Sequence, residues 1–231
     1  MILVLFALTV INTSSGALDK LLGGGIRVGM LTDIFGASAS GKTQLCFQLC
    51  VNCAKPKNRR GLNANVLFID AMNTFRPERI VQIAKYEGLD NKLLDKIYVS
   101  RVYSTADQIS VIKRIPSIAN LKLTVIDSIG ELFSYDYKES STAQKHLKFM
   151  RFMHELALDA LNCNMAIVVT NTVRFTGGEQ REHLDKSISS FSHVKVELSK
   201  ENSAFKAKLL QPSLEPRSEI FKISGKGITD V

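Results

Sequence analysis

Apolar, largely β-branched residues gather in five short runs: Met30–Phe35, Val66–Ile69, Ile97–Val102, Leu121–Ile126 and Met165–Thr170. Runs of this kind suit strands buried on both faces of a parallel sheet. Between them the apolar period lengthens, predicting helices over about 43–54, 77–88, 106–119 and 142–162. Thr105-Ala106-Asp107-Gln108 matches a capping box, and Pro77 sits in a first turn, where its missing N–H costs nothing. Strand and helix alternate, so the pattern predicts an α/β fold with a mostly parallel central sheet and helices on both faces. After residue 190 the pattern changes. His193–Leu198 and Phe205–Leu210 flank Lys200–Ser203 like a hairpin, and Ile220–Ile223 reads as another strand, which makes a C-terminal antiparallel β extension.

At 231 residues and 45% hydrophobic content the chain can bury one large core. No Pro/Gly/Ser-rich linker or internal repeat divides it, so a single domain over 1–231 is expected. Its apolar start, Met1–Ile11, lacks a basic leading region and a small-residue cleavage site, and is too short to span a bilayer. No membrane association is therefore expected. The β-branched content of this start predicts a strand that packs on its own domain or adds to a partner's sheet edge, unless Met1 is not the true start. Cys46, Cys50 and Cys53 recur at helical spacing and Cys163 is isolated, which reads as reduced core thiols in a cytoplasmic protein. Thirty Lys and Arg against 22 Asp and Glu leave a charge of +8. That balance favours a polyanion such as DNA without establishing one.

Gly36-Ala37-Ser38-Ala39-Ser40-Gly41-Lys42-Thr43 fits G-x-x-x-x-G-K-[ST], the loop that wraps nucleotide phosphates in backbone N–H groups. A strand precedes it and an apolar helix follows, the order such a loop needs. Gly36 and Gly41 permit backbone angles and close approach that a Cβ would block, and the N–H groups of residues 38–43 converge where anions are favoured. Lys42 is placed to reach the β- and γ-phosphates, and the Thr43 hydroxyl to ligate Mg²⁺. A second metal ligand must be acidic. Asp127 ends the Leu121–Ile126 strand at the sheet's C-terminal edge and is the candidate.

Further segments carry a family resemblance. Thr13–Ile26, Gly29–Gln44, Phe68-Ile69-Asp70 with Thr74-Phe75-Arg76-Pro77-Glu78-Arg79, Val168-Val169-Thr170-Asn171 and Gly225–Asp230 resemble the ATPase core of the RecA/RadA strand-exchange recombinases. The resemblance implies a RecA-like P-loop NTPase fold, ATP and Mg²⁺ as cofactors, and an Arg near the adenine, which falls on Arg79. A plain helix-surface charge is the other reading of Arg79. Full-length recombinases of this group carry an N-terminal helical DNA-binding domain and a linker with a Phe-x-x-Ala motif, and neither is visible before Val10. The chain is most similar to the archaeal RadB paralogues, regarded as recombination accessory proteins.

The resemblance also exposes a departure. Where the family has Ile-Asp-Thr-Glu-Gly-Thr-Phe, this chain has Ile69-Asp70-Ala71-Met72-Asn73-Thr74-Phe75, so the water-activating Glu is replaced by Met72. A thioether cannot take that proton, and losing a positioned base typically removes about 10²–10⁴-fold in rate. Asp70 is a weak substitute. The family's Asn-Gln sensor reads Asn171-Thr172 here. Its DNA loops correspond to Ser134–Ser141, which holds Lys138, and to Arg174–Ser189, which holds Arg174, Arg181 and Lys186. Lys145, Lys148 and Arg151 follow at helical spacing, either as a phosphate-contacting face or as an ordinary solvated one, and Phe175 either stacks on a base or packs. The expectation is a RadB-like, ATP-binding DNA recombination or repair protein that binds single-stranded DNA and associates with the main recombinase or with itself. Hydrolysis is expected to be weak. The competing readings are an active DNA-dependent ATPase motor and a non-enzymatic recombinase adaptor.

Overall fold

The computed structural model describes residues 9–138, 141–176, 179–213, 215 and 217–231. Its elements run β1 Val10–Ile11, α1 Gly16–Leu21, β2 Ile26–Arg27, β3 Leu31–Gly36, α2 Lys42–Ala54, β4 Asn65–Asp70, α3 Pro77–Tyr86, β5 Ile97–Arg101, α4 Thr105–Ile112 and β6 Leu121–Asp127. They continue with α5 Glu131–Asp136, α6 Thr142–Asn162, β7 Ala166–Thr176, β8 Glu179–Glu182, α7 Asp185–Ser189, β9 Val194–Glu201, β10 Ala204–Gln211, β11 Arg217–Ser224 and β12 Gly227–Asp230.

The sheet runs β12-β11-β10-β9-β3-β7-β6-β4-β5, with β8 folded back on the end of β7. From β9 to β5 every pairing is parallel, and β10, β11 and β12 add antiparallel. Every residue of β3 is buried, as its central place demands. Neighbouring residues of a strand face opposite cores. Val66, Phe68, Val125 and Val168 pack with α2 and α3 on one side. Leu67, Ile69, Ile126, Ile167 and Val169 pack with α4, α5, α6 and α7 on the other. This is the α/β architecture the alternating pattern predicts, antiparallel extension included.

Local chemistry moves several boundaries. The α4 N-cap is Ser104, one residue before the expected Thr105: its hydroxyl accepts the Asp107 N–H at 3.1 Å, while the Asp107 carboxylate accepts the Tyr103 N–H at 3.2 Å. The cap is therefore displaced by one position, and Asp107 fastens the residue before the cap rather than the cap itself. The helix expected to reach 119 stops at Ile112, and Pro116 lies in a separate 3₁₀ turn, because proline cannot continue an α-helix interior. Of the apolar start, Val10–Ile11 pairs antiparallel with β2 within the chain, and Met1–Leu8 lie outside the described residues. The closing segment ends in the strand β12, and its Asp230 accepts the Gly16 and Ala17 N–H groups at 3.1 Å each. The four cysteines are free thiols, three of them buried in α2.

Candidate functional site

Strand β3 delivers the chain into the phosphate loop and α2 carries it away. Gly36 has φ +155°, and a Cβ there would lie 2.1 Å from the Leu198 carbonyl oxygen of the neighbouring strand. Gly41, at φ +97°, caps α2 in the left-handed region that favours glycine. Ala37, Ser38 and Ala39 stand in solvent, while Ser40 and Lys42 are buried. The Lys42 ammonium donates to the Gly36 and Ala37 carbonyls at 2.8 Å each, so it lies across the loop's mouth. Burial lowers the Lys42 pKa and the Asp127 carboxylate opposes that shift.

Asp127 emerges from the end of β6 beside this loop, as expected. Its Oδ2 accepts the Thr43 hydroxyl at 2.7 Å and the Thr74 hydroxyl at 3.1 Å, and its Oδ1 accepts the Thr170 hydroxyl. Thr43 and Asp127 together present the paired hard oxygens that Mg²⁺ prefers. Cradle, ammonium and oxygen pair suit a nucleotide triphosphate with its metal. Thr74 and Thr170 were not foreseen, because threonines at strand ends carry no signal without the fold.

Asp70 sits level with Asp127 on the adjoining strand β4. It does a different task. Its carboxylate accepts the N–H groups of Met72, Thr74 and Phe75 at 3.3, 2.9 and 3.0 Å, which shapes the loop after β4. Met72 itself is 50% exposed. Arg79 projects from α3 alongside α2 and is fully engaged: it donates to Gln44 at 2.7 Å, to Gln82, to the Gly225 carbonyl at 3.1 Å and to the Ser224 carbonyl at 2.6 Å. It thus clamps α3 to the turn between β11 and β12.

Among the described residues, the two expected DNA loops contain regular structure. The first contains the end of α5, and the second contains the β7–β8 hairpin and α7. The Glu131 carboxylate ties α5 to β7 at their bases, accepting from the Thr172 hydroxyl at 2.9 Å and from Arg174 at 2.8 Å. His183 lies where they meet, bonded to Ser134. Burial pushes its pKa down to about 4, with Arg174 and Lys145 adding to the effect and Glu131 opposing it. Lys138 and Lys148 are exposed nearby, with the Lys148 ammonium 4.3 Å from the Tyr137 ring centre. Arg151 is exposed farther along α6 and Lys186 is exposed on α7. The side chains of Phe175 and Arg181 lie outside the described residues.

Beneath this edge is a buried charge cluster that sequence reading missed. Asp33 of β3 stands in register with Lys195 of β9, their charged atoms 3.7 Å apart, and Lys195 also pairs with Glu182 and Asp185. The Asn171 side chain donates to Glu182 at 2.8 Å. Burial holds Asp33 well above the usual carboxylate range and the Glu182 carboxylate adds to this. Its sequence signal was an acid inside an otherwise apolar strand.

A doubly faced parallel sheet with a phosphate loop at its C-terminal edge, and a strand-end Asp beside the loop's Thr, defines the α/β phosphate-loop class of nucleotide-binding proteins. The family model of Rad51 matches residues 6–231. The DNA repair and recombination protein RadA of Cenarchaeum symbiosum (strain A) is 36% identical over 232 residues, covering 95% of this chain. The chain belongs to the Rad51 family, and it spans 58% of the length of that RadA.

Proposed function

We propose that the chain is a RadB-like recombination or repair protein that binds ATP with Mg²⁺, binds single-stranded DNA, and hydrolyses ATP slowly at most. The name of its archaeal relative describes DNA repair and recombination, and family membership supports the same work here. The loop N–H groups and Lys42 would hold the phosphates, and Thr43 and Asp127 the metal. Magnesium, when bound, supplies charge neutralisation at the β- and γ-phosphate oxygens.

The observation that carries slow hydrolysis is the pairing of Met72 with Asp70. The position that resembles the family's base holds a thioether turned to solvent, and the nearest carboxylate on the same strand is committed to three backbone N–H groups. Met72 has no basic atom, and Asp70 is held in place by the loop it shapes. Binding contacts are untouched by this, so ATP acts mainly as a conformational ligand. Met72→Glu is expected to raise hydrolysis at least tenfold with ATP affinity unchanged, within the range of a restored general base. No gain in a mutant that still binds ATP would overturn the reading.

Arg79 supports the nucleotide site as a clamp on α3, its guanidinium beside Gln44 one residue beyond Thr43. For DNA, the contact set is Lys138, Lys145, Arg174 and Lys186, with Arg181, Lys148 and Arg151 extending it. These cations serve phosphates and carry no base information. Glu131, by holding Arg174, supports a coupling between the two loops.

A further inference from the structure

Four of the large apolar side chains that stand in solvent belong to one helix. On α6, Leu147, Met150, Leu158 and Leu161 are 52, 40, 43 and 67% exposed. At about 100° per residue, these four fall with Ala143 and His154 in an arc of about 80°. That arc faces away from Phe149, Phe152, Met153, Leu156 and Ala160, which are buried in the core. A surface helix ordinarily turns its charges to this side. The helix is thus apolar on two faces, and a contiguous exposed stripe of this kind marks a contact surface.

Its charges are sorted along one margin of the stripe. Lys148 and Arg151 occupy the N-terminal half, and Glu155 and Asp159 the C-terminal half. None of the four forms an ion pair within the chain among the described residues. Partial burial raises the Asp159 carboxyl above its ordinary range and the adjacent Glu155 adds to this, so the acidic half would gain from a cation.

Reversal symmetry identifies the occupant. Leu147 and Leu161 stand seven residues either side of His154, and Met150 and Leu158 stand four either side. A half-turn about an axis crossing the helix at His154 therefore lays the stripe on itself, apolar on apolar. The same half-turn brings like margins together in opposite directions, so the basic half of one helix meets the acidic half of the other.

We propose that α6 is a two-fold self-association surface on which a second copy of this chain packs its own α6 antiparallel, crossing at His154. Leu147 then meets Leu161 of the partner subunit, and Met150 meets Leu158 of the partner subunit. Arg151 and Lys148 face Glu155 of the partner subunit and Asp159 of the partner subunit. Such a contact is isologous and closes at two copies. A single helix pair about 30 Å long lies at the small end of specific interfaces, so weak association is expected, with a dissociation constant of about 1–100 µM.

The test is sedimentation velocity of the full chain from about 1 to 300 µM, without nucleotide or DNA, so that its outcome is independent of the activity proposed above. The expected result is a reversible approach to twice 25.6 kDa. Leu158→Glu, on the solvent face and so compatible with folding, is expected to weaken association at least tenfold with an unchanged circular dichroism spectrum. Arg151→Glu is expected to weaken it several-fold, and Arg151→Glu combined with Glu155→Arg to restore it. The exchange keeps the i,i+4 pairing within each helix, so rescue reads the contact between subunits. A chain monomeric at the highest concentration would overturn the proposal and leave the stripe to a different protein. Growth past two copies, or a dimer indifferent to both substitutions, would overturn it equally.

Discussion

Strand β3 takes part in two polar sites of opposite construction. Its end, Gly36, opens a phosphate loop made of eight consecutive residues, whose binding groups are mainly backbone N–H and whose shape two glycines impose locally. Its middle, Asp33, anchors a charge cluster assembled from β3, β8, α7 and β9, which meets only when these four elements pack together. The first tolerates much change around it because its geometry is local. The second depends on the sheet's register, since Lys195 reaches Asp33 only while β9 lies parallel beside β3. A nucleotide site can thus be kept while the neighbouring polar network, and whatever responds to it, is rebuilt.

The largest expected effect lies at the local site. Lys42→Ala removes an ammonium that contacts loop carbonyls and adds little to the core, so ATP affinity should fall about 100-fold or more, while the thermal midpoint moves little. Calorimetric titration and a melting curve on one sample check both halves. A folded mutant with normal affinity would mean that the local site is not the nucleotide site.

At the distributed site the sharper probe is pH. The Asp33 and Glu182 carboxyls are both held above their ordinary range, chiefly by burial, so the folded protein binds protons the unfolded chain releases. Their contribution to stability is whole below the unfolded carboxylate range and is lost as pH rises through the raised values. Relative to Asp33→Asn, the wild-type chain should therefore lose up to about 1.4 kcal/mol per pH unit per proton over that window. Parallel denaturant titrations of the two proteins at successive pH values measure it. Equal slopes would show that the cluster is not protonated as described.

Smaller effects separate the basic edge from both sites. Arg174→Ala should lower the slope of log affinity for single-stranded DNA against log salt by about one and leave ATP binding alone. An unchanged slope would remove Arg174 from the contact set. Smaller still, phosphates brought near His183 should raise its pKa from about 4 towards the ordinary value, so DNA binding takes up a proton. Affinity should then strengthen a few-fold as pH falls from about 7 to 5, and His183→Gln should flatten that dependence. Fluorescence anisotropy with a labelled oligonucleotide reads both.

How much was legible in the sequence follows the same division. The five apolar runs located β3, β4, β5, β6 and β7 within a residue at most ends; the inner strands are continuously apolar because they are buried on two faces, whereas β5 is the sheet edge and leaves Tyr98 and Val99 exposed. The phosphate loop was readable from eight neighbours, and Asp127 from its place at a strand end. The short helices α1, α5 and α7 escaped, since five or six residues hold less than two helical periods, and β8 escaped because its four residues are all polar. Glu131, Glu182 and Lys195 escaped for a different reason: their roles exist only once β7 turns back on β8 and β9 docks on β3. Pro116 was readable and overlooked, and with it the true end of α4.

Nucleotide binding by the phosphate loop together with Asp127, with slow turnover because Met72 offers no base, is the property proposed for this chain. It is tested most directly by measuring ATP binding and steady-state hydrolysis on the same wild-type sample, with and without single-stranded DNA. We predict Mg²⁺-dependent binding with turnover at least about tenfold below that of the Met72→Glu variant, in the presence of DNA as in its absence. Wild-type turnover at the rate of an ordinary enzyme, about 1 s⁻¹ or faster, would contradict it and show that another group activates water.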